Sequence, residues 1–194
     1  MPRALIVYGT THGQTAKIAH AMADDFRTEG WHVTVVEGGV GPELRPRDFD
    51  RVVVAASIHI GNYQRSVKRW VRRNLSALNG MQTAFVSVCM GVVERNPDAR
   101  REVRAIPERF FAQSGWRPTA TKDVAGAVPY TRYNWLTKLI IKRIAAKAGG
   151  ATDTTRDFEY TDWADLRSFV HDLASHEGTF TPSSPSSDWG VARL

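Results

Sequence analysis

The chain has 194 residues, 42% hydrophobic and 24% charged, with a formal net charge of +6 and a pI near 9.8. That length suits one domain with a proper core, and no window approaches the roughly 20 consecutive apolar residues that span a bilayer. The lone Cys89 excludes an intrachain disulfide framework and fits a reducing cytoplasm, while the basic balance favours acidic small molecules, anionic lipid or nucleic acid as partners and argues against an acidic electron carrier.

The N-terminal apolar run is too short for a secretory signal and enters a strand directly, Ala4–Val7, continuous enough to be buried on both faces of a parallel sheet. The loop that follows, G-T-T-H-G-Q-T at 9–15, carries the hydroxyls of Thr10, Thr11 and Thr15, with Gly13 to turn the backbone. A helix starting near Gln14 aims its positive N-terminal end at the same place. The loop has no lysine of the G-x-x-x-x-G-K-[ST] kind and no G-x-G-x-x-G. A neutral cradle of hydroxyls and amides suits a phosphate monoester that stays bound, such as that of FMN. The competing reading is an ordinary βα turn of another α/β protein.

Ile18, Met22 and Phe26 line one face of the first helix, which stops at Gly30. His32–Val36 reads as strand two, 38–47 as a Gly/Pro-rich loop, and Arg51–Ile58 as a deeply buried strand three. A helix over Gln64–Leu78 turns Val67, Trp70, Val71, Leu75 and Leu78 inward and leaves Lys68, Arg69, Arg72 and Arg73 mostly outside. Gln82–Val88 is strand four, Asn96-Pro97 opens another helix, Thr121–Val128 is strand five, and Asp162–His176 closes the fold. The Ser/Pro-rich residues 178–194 read as a disordered tail after a domain of residues 1–177. Alternating strands and helices predict a doubly wound, flavodoxin-like parallel sheet of five strands in the order 2-1-3-4-5. Its ligand lies beyond the carboxyl ends of the strands, beside strand one.

Residues of about 129–158 exceed what an αβ connection needs. Trp135, Leu136, Leu139, Ile140 and Ile144 form an apolar stripe, flanked by Lys138, Lys142, Arg143 and Lys147, before Gly149-Gly150. A helix that merely covers the sheet explains the stripe. A basic helix at a membrane surface, or over an apolar anionic substrate, explains it equally, and Tyr130, Arg132, Tyr133 and Trp135 favour that reading. Nucleic acid is not expected as a partner, because the cations are spread over two helices and no RNP1-type motif occurs.

Taken together, the residues resemble the flavodoxin-like, menaquinone-dependent protoporphyrinogen IX dehydrogenases of bacterial haem synthesis, over nearly the whole folded length. The resemblance rests on G-Q-T at 13–15, D-R-V-V at 50–53, A-S-I-H-I-G-N-Y at 56–63, A-F-V-S-V at 84–88, W-R-P at 116–118 and A-G-A at 125–127. Most specific are Y-T-R-Y-N-W at 130–135, G-G-A-T-D-T at 149–154 and Y-T-D-W at 160–163, since simple flavodoxins lack the inserted segment.

The resemblance implies FMN as cofactor and no metal. It implies six-electron oxidation of protoporphyrinogen IX with menaquinone or another quinone as acceptor, at the cytoplasmic face of the membrane. Carried onto this chain, Thr10, Thr11, Gly13, Gln14 and Thr15 hold the phosphate, with His12 standing where the family often has a charged residue. Ser57, Ile58, His59, Gly61 and Tyr63, together with Ser87, Val88, Cys89, Met90 and Gly91, border the isoalloxazine. Simple flavodoxins sandwich that ring between aromatics, and here only Tyr63 stands in the right loop. A porphyrinogen is an apolar macrocycle with two propionates, and Tyr130, Arg132, Tyr133, Trp135 and Lys138 have the composition to receive it. No acid–base pair is visible, and none is required where N5 of FMN takes the hydride. A flavodoxin-type electron carrier and an NAD(P)H:quinone reductase use the same flavin loops and remain open alternatives at this level.

Overall fold

A computed structural model describes residues 1–38, 44–89, 97–128 and 158–175 of the chain. Five parallel strands form the central sheet: β1 (Arg3–Gly9), β2 (His32–Glu37), β3 (Arg51–Ser57), β4 (Thr83–Val88) and β5 (Ala120–Val124). Their order is β2-β1-β3-β4-β5, the doubly wound arrangement expected from the sequence. Register follows from burial: Ile6 pairs with Val35 on one side and Val53 on the other, so apolar residues of three strands lie abreast. Every residue of β4 and six of the seven in β3 are buried, as a strand covered on both faces requires.

Helices α1 (Gln14–Thr28) and α5 (Trp163–Ser175) cover one face, where Ile18, Met22, Phe26, Leu166 and Val170 meet Ile6, Val53 and Val86. Helices α2 (Arg65–Arg73), α3 (Leu75–Leu78) and α4 (Pro97–Ser114) lie on the other side of the sheet. There Val67, Val71, Leu78 and Phe110 pack on Leu5, Val7, Val54 and Phe85, with Trp116 fully buried among them.

Two boundaries differ from the sequence expectation. The single helix expected over Gln64–Leu78 is broken at Asn74, whose side-chain amide donates to the Trp70 carbonyl at 2.9 Å and ends α2. Asn competes with helical bonding in this way, which apolar periodicity does not register. The strand expected over Thr121–Val128 is also two pieces. β5 ends at Val124, and β6 (Ala127–Val128) leaves the sheet to pair antiparallel with β7 (Phe158–Glu159). That ribbon is the root of the inserted segment. The helix expected within the insertion and the tail expected from 178 onward lie outside the described residues.

Candidate functional site

The carboxyl ends of β1, β3 and β4 meet at one edge of the sheet, and the predicted loops converge there. After β1 the backbone turns at Gly13, with φ of 93°, a left-handed conformation that favours glycine. The turn is fixed by the Gly13 amide donating to Thr10 Oγ1 at 2.9 Å. It leaves the amides of the first α1 turn, Gln14 to Ala16, without helical acceptors and facing the loop. Thr15 is 1% exposed, and its hydroxyl is buried without a hydrogen-bond partner. A buried orphan hydroxyl is costly unless something accepts from it or donates to it. Together with helix-end amides and no fixed cation in the loop, it fits a phosphate monoester. The residues present therefore suit FMN.

Gln64, at the N-cap of α2, is a site residue that the sequence reading missed. Its Nε2 donates to Thr11 Oγ1 at 3.0 Å and to Ser57 Oγ at 2.7 Å, joining the β1 and β3 loops. Its Oε1 is buried and unpartnered. The approach of α2 depends on Gly9, where a Cβ would fall 2.5 Å from Val67 Cγ2 and 3.0 Å from Gln64 Oε1. Only its place just before a helical pattern could have drawn attention to Gln64.

The β3 loop is a tight hairpin, with His59 and Asn62 exchanging backbone bonds of 2.8 and 3.2 Å around Ile60 and Gly61. The His59 ring stands 6.1 Å from that of His12, so the two exposed histidines bring the phosphate loop and the hairpin side by side. Ladder bonds continue past the strand ends, Ile58 N–H to Val88 O at 2.9 Å and Cys89 N–H to Val124 O at 3.0 Å. They carry Ser57, Ile58, Val88 and Cys89 to the same edge. Met90 and Gly91 lie outside the described residues, as do Tyr130, Arg132, Tyr133, Trp135 and Lys138.

Two side chains point elsewhere than the sequence suggested. Tyr63 is 4% exposed, its ring edge-on to Phe85 and Phe110 at 5.1 and 5.3 Å, so it stands in the core and not as an open stacking face. Its hydroxyl bonds Ser87 Oγ at 2.9 Å. Burial pushes this phenol far above its usual range, against the pull of that hydrogen bond. Ser87 pairs in register with Asp123, and burial likewise raises the Asp123 carboxyl, opposed by Ser87, Arg104 and Lys122. The Gln14 amide reaches away from the cradle, donating to Glu159 Oε1 at 2.8 Å and Thr161 Oγ1 at 3.0 Å. Lys17 pairs with the same Glu159 carboxylate at 2.7 Å and lies 5.0 Å over the Trp163 ring. Although partial burial would raise Glu159, bonds from Lys17 and Gln14 bring its pKa below the ordinary carboxylate value. The root of the insertion is thus fastened to the first turns of α1. Among the described residues no cluster of His, Cys, Asp and Glu could hold a metal ion.

The flavodoxin-domain family matches residues 5–155. Protoporphyrinogen IX dehydrogenase (quinone) of Escherichia coli strain K12 is 34% identical over 173 residues, 89% of this chain and 94% of that protein. The chain belongs to this dehydrogenase family. The family's member from Leishmania major is 33% identical over 179 residues, covering 90% of this chain and 75% of its own. Among solved structures, oxidised flavodoxin 1 from Bacillus cereus superposes with a TM-score of 0.56 at 13% identity, over 91% of this chain and 99% of that one. A flavodoxin from the domain Archaea gives 0.52 at 13%, over 89% and 96%. These likenesses establish the shared fold.

Proposed function

We propose that the protein oxidises protoporphyrinogen IX to protoporphyrin IX, with FMN as cofactor and a quinone as electron acceptor. The observation that carries this reading is the 34% identity over 94% of the Escherichia coli dehydrogenase, a span that takes in the insertion as well as the flavin loops. When bound, FMN supplies the acceptor for the electrons removed from the substrate. The protein's part is to position and exclude. The Gly13 turn and first-turn amides receive the phosphate, and Thr15 gives its unpaired hydroxyl to it. Gln64 holds the β1 and β3 loops at a fixed spacing, and the β3 hairpin and β4 end line the ring's border.

For the substrate, the composition of Tyr130, Arg132, Tyr133, Trp135 and Lys138 supports contact with an apolar macrocycle and its propionates. The clasp of Glu159 and Thr161 on Gln14 and Lys17 holds the chain around β7 against the first turns of α1. A peripheral position on the cytoplasmic face of the membrane is supported by the lipid solubility of quinones and by the +6 charge. No described helix is long and apolar enough to cross a membrane.

The test is anaerobic turnover of protoporphyrinogen IX by FMN-loaded protein with a menaquinone analogue as sole acceptor. Turnover above background without NAD(P)H is expected. No turnover, with rapid NADPH-driven quinone reduction instead, would assign the protein to a different flavin chemistry.

A further inference from the structure

The two helix layers differ in how they handle charge. On the α1/α5 side cations meet carboxylates: Lys17–Glu159, Arg27–Asp24, Lys122–Asp165, Arg167–Asp25 and His171–Glu29. On α2 they do not. Its sequence, R-S-V-K-R-W-V-R-R, holds five cations and no carboxylate. At 3.6 residues per turn, Arg65, Lys68, Arg69, Arg72 and Arg73 share one face, opposite the buried Val67 and Val71. The four arginines are exposed and form no ion pair among the described residues. Unmatched like charges this close repel one another, so the face is costly unless it meets an anionic surface.

The hairpin that feeds this helix carries a second cost. Both central residues of the His59–Asn62 turn have positive φ, 49° at Ile60 and 69° at Gly61. That is the type I′ geometry that Asn-Gly adopts without strain. Ile60 is β-branched and 90% exposed, the one non-glycine with positive φ among the described residues. Backbone strain and a bare aliphatic side chain therefore coincide at one tip. Lys68 Nζ, donating to Asn62 Oδ1 at 2.9 Å, ties that tip to the first turns of α2.

We infer that the outward face of α2 and the Ile60 tip form the surface by which the protein docks on an anionic lipid leaflet. The inference rests on the reading above that a quinone is the acceptor, and it says which surface meets the membrane that holds it. A leaflet rewards both features together: anionic headgroups neutralise the arginine row, and the interfacial region takes up the aliphatic tip. An acidic protein or a nucleic acid would match the arginines and leave Ile60 unexplained. Docking this way sets the β3 hairpin, at the border of the FMN site, against the lipid, which gives a bilayer-dissolved quinone a short path.

The test is cosedimentation of FMN-loaded protein with phosphatidylcholine vesicles, with and without phosphatidylglycerol. The Arg69→Gln/Arg72→Gln/Arg73→Gln variant is expected to bind the anionic vesicles about 100-fold more weakly at low salt, from roughly 1 kcal/mol per cation at an anionic surface. It should keep its FMN, its melting temperature and its turnover with a water-soluble quinone. Ile60→Asn should bind vesicles several-fold more weakly while melting no lower than the parent, because the turn strain is relieved. Parent-like vesicle binding by both variants would overturn the assignment and leave the membrane reading to the insertion. Parent protein that turns over porphyrinogen and ignores anionic vesicles, or that binds duplex DNA or RNA in their place, would overturn the docking surface and leave the enzymatic reading intact.

Discussion

Replacing Thr15 by Val deletes a hydroxyl and keeps the shape of the side chain, at a position where stability and cofactor affinity should respond differently. The Thr15 hydroxyl is buried and bonds no other group of the protein. Removing it breaks no hydrogen bond within the protein, so the stability of the apoprotein should change by less than about 1 kcal/mol. In the proposed FMN site the same hydroxyl would bond a phosphate oxygen. Losing a hydrogen bond to a charged group costs about 1.5–3 kcal/mol, or roughly 10- to 150-fold in Kd. Urea unfolding of the apoprotein, paired with titration of FMN fluorescence, reads both. A Thr15→Val protein that is less stable than its parent and binds FMN equally well would show that the hydroxyl faces the core and that the cradle lies elsewhere.

Gly9→Ala should be poorly tolerated, because its Cβ would lie 2.5 Å from Val67 Cγ2; a loss of about 1–3 kcal/mol is expected from overpacking, with weaker FMN binding as α2 and its N-cap Gln64 are pushed away from the β1 loop, read by urea unfolding and FMN titration. Tyr63→Phe keeps the edge-on ring contacts and removes the bond to Ser87, so stability should fall by about 0.5–1.5 kcal/mol in urea unfolding, with the FMN Kd unchanged. Asp123 binds its proton more readily when folded, so it favours the fold below about pH 3.8 and burdens it as pH rises through the raised folded value. Asp123→Asn should thus raise the melting temperature at neutral pH, with the gain shrinking as pH falls toward 3.8. Glu159, lowered in the fold, behaves oppositely: its contribution is present above about pH 4.5 and lost as pH falls through the lower folded value, and Glu159→Gln should flatten that part of the stability profile.

The parts of the fold legible in the sequence are those whose cause is local. The Ala4–Val7 run, the Gly13 turn and the Ile18–Met22–Phe26 stripe lie within a few residues of one another, and strand, loop and helix appear where they were expected. Alternation of elements implied a parallel sheet, and its order came with the flavodoxin-like type that the chain resembles. Side-chain destinations were less legible where the partner is remote. Gln14 is assigned to the phosphate as a residue, and that its side chain instead bonds Thr161, 147 residues away, cannot be read locally. Tyr63 sits in a cofactor loop by position, but an aromatic pocket of Phe85, Phe110 and Trp116, gathered from three later segments, claims its ring. The Asn74 break and the β5–β6 break were missed for another reason. A single side-chain-to-backbone bond and a two-residue ribbon leave no periodic trace.

The clasp between the first turns of α1 and the chain near β7 also bears on biosynthesis. Gln14 and Lys17 leave the ribosome well before their partners Glu159, Thr161 and Trp163, which emerge only after all five strands of the sheet. A nascent chain can pair β1 with β3 while the N-terminal end of α1 still lacks its side-chain neighbours. The clasp that fastens the β6–β7 ribbon to α1 therefore closes only after all five strands of the sheet have emerged, so the ribbon docks on a sheet already able to form.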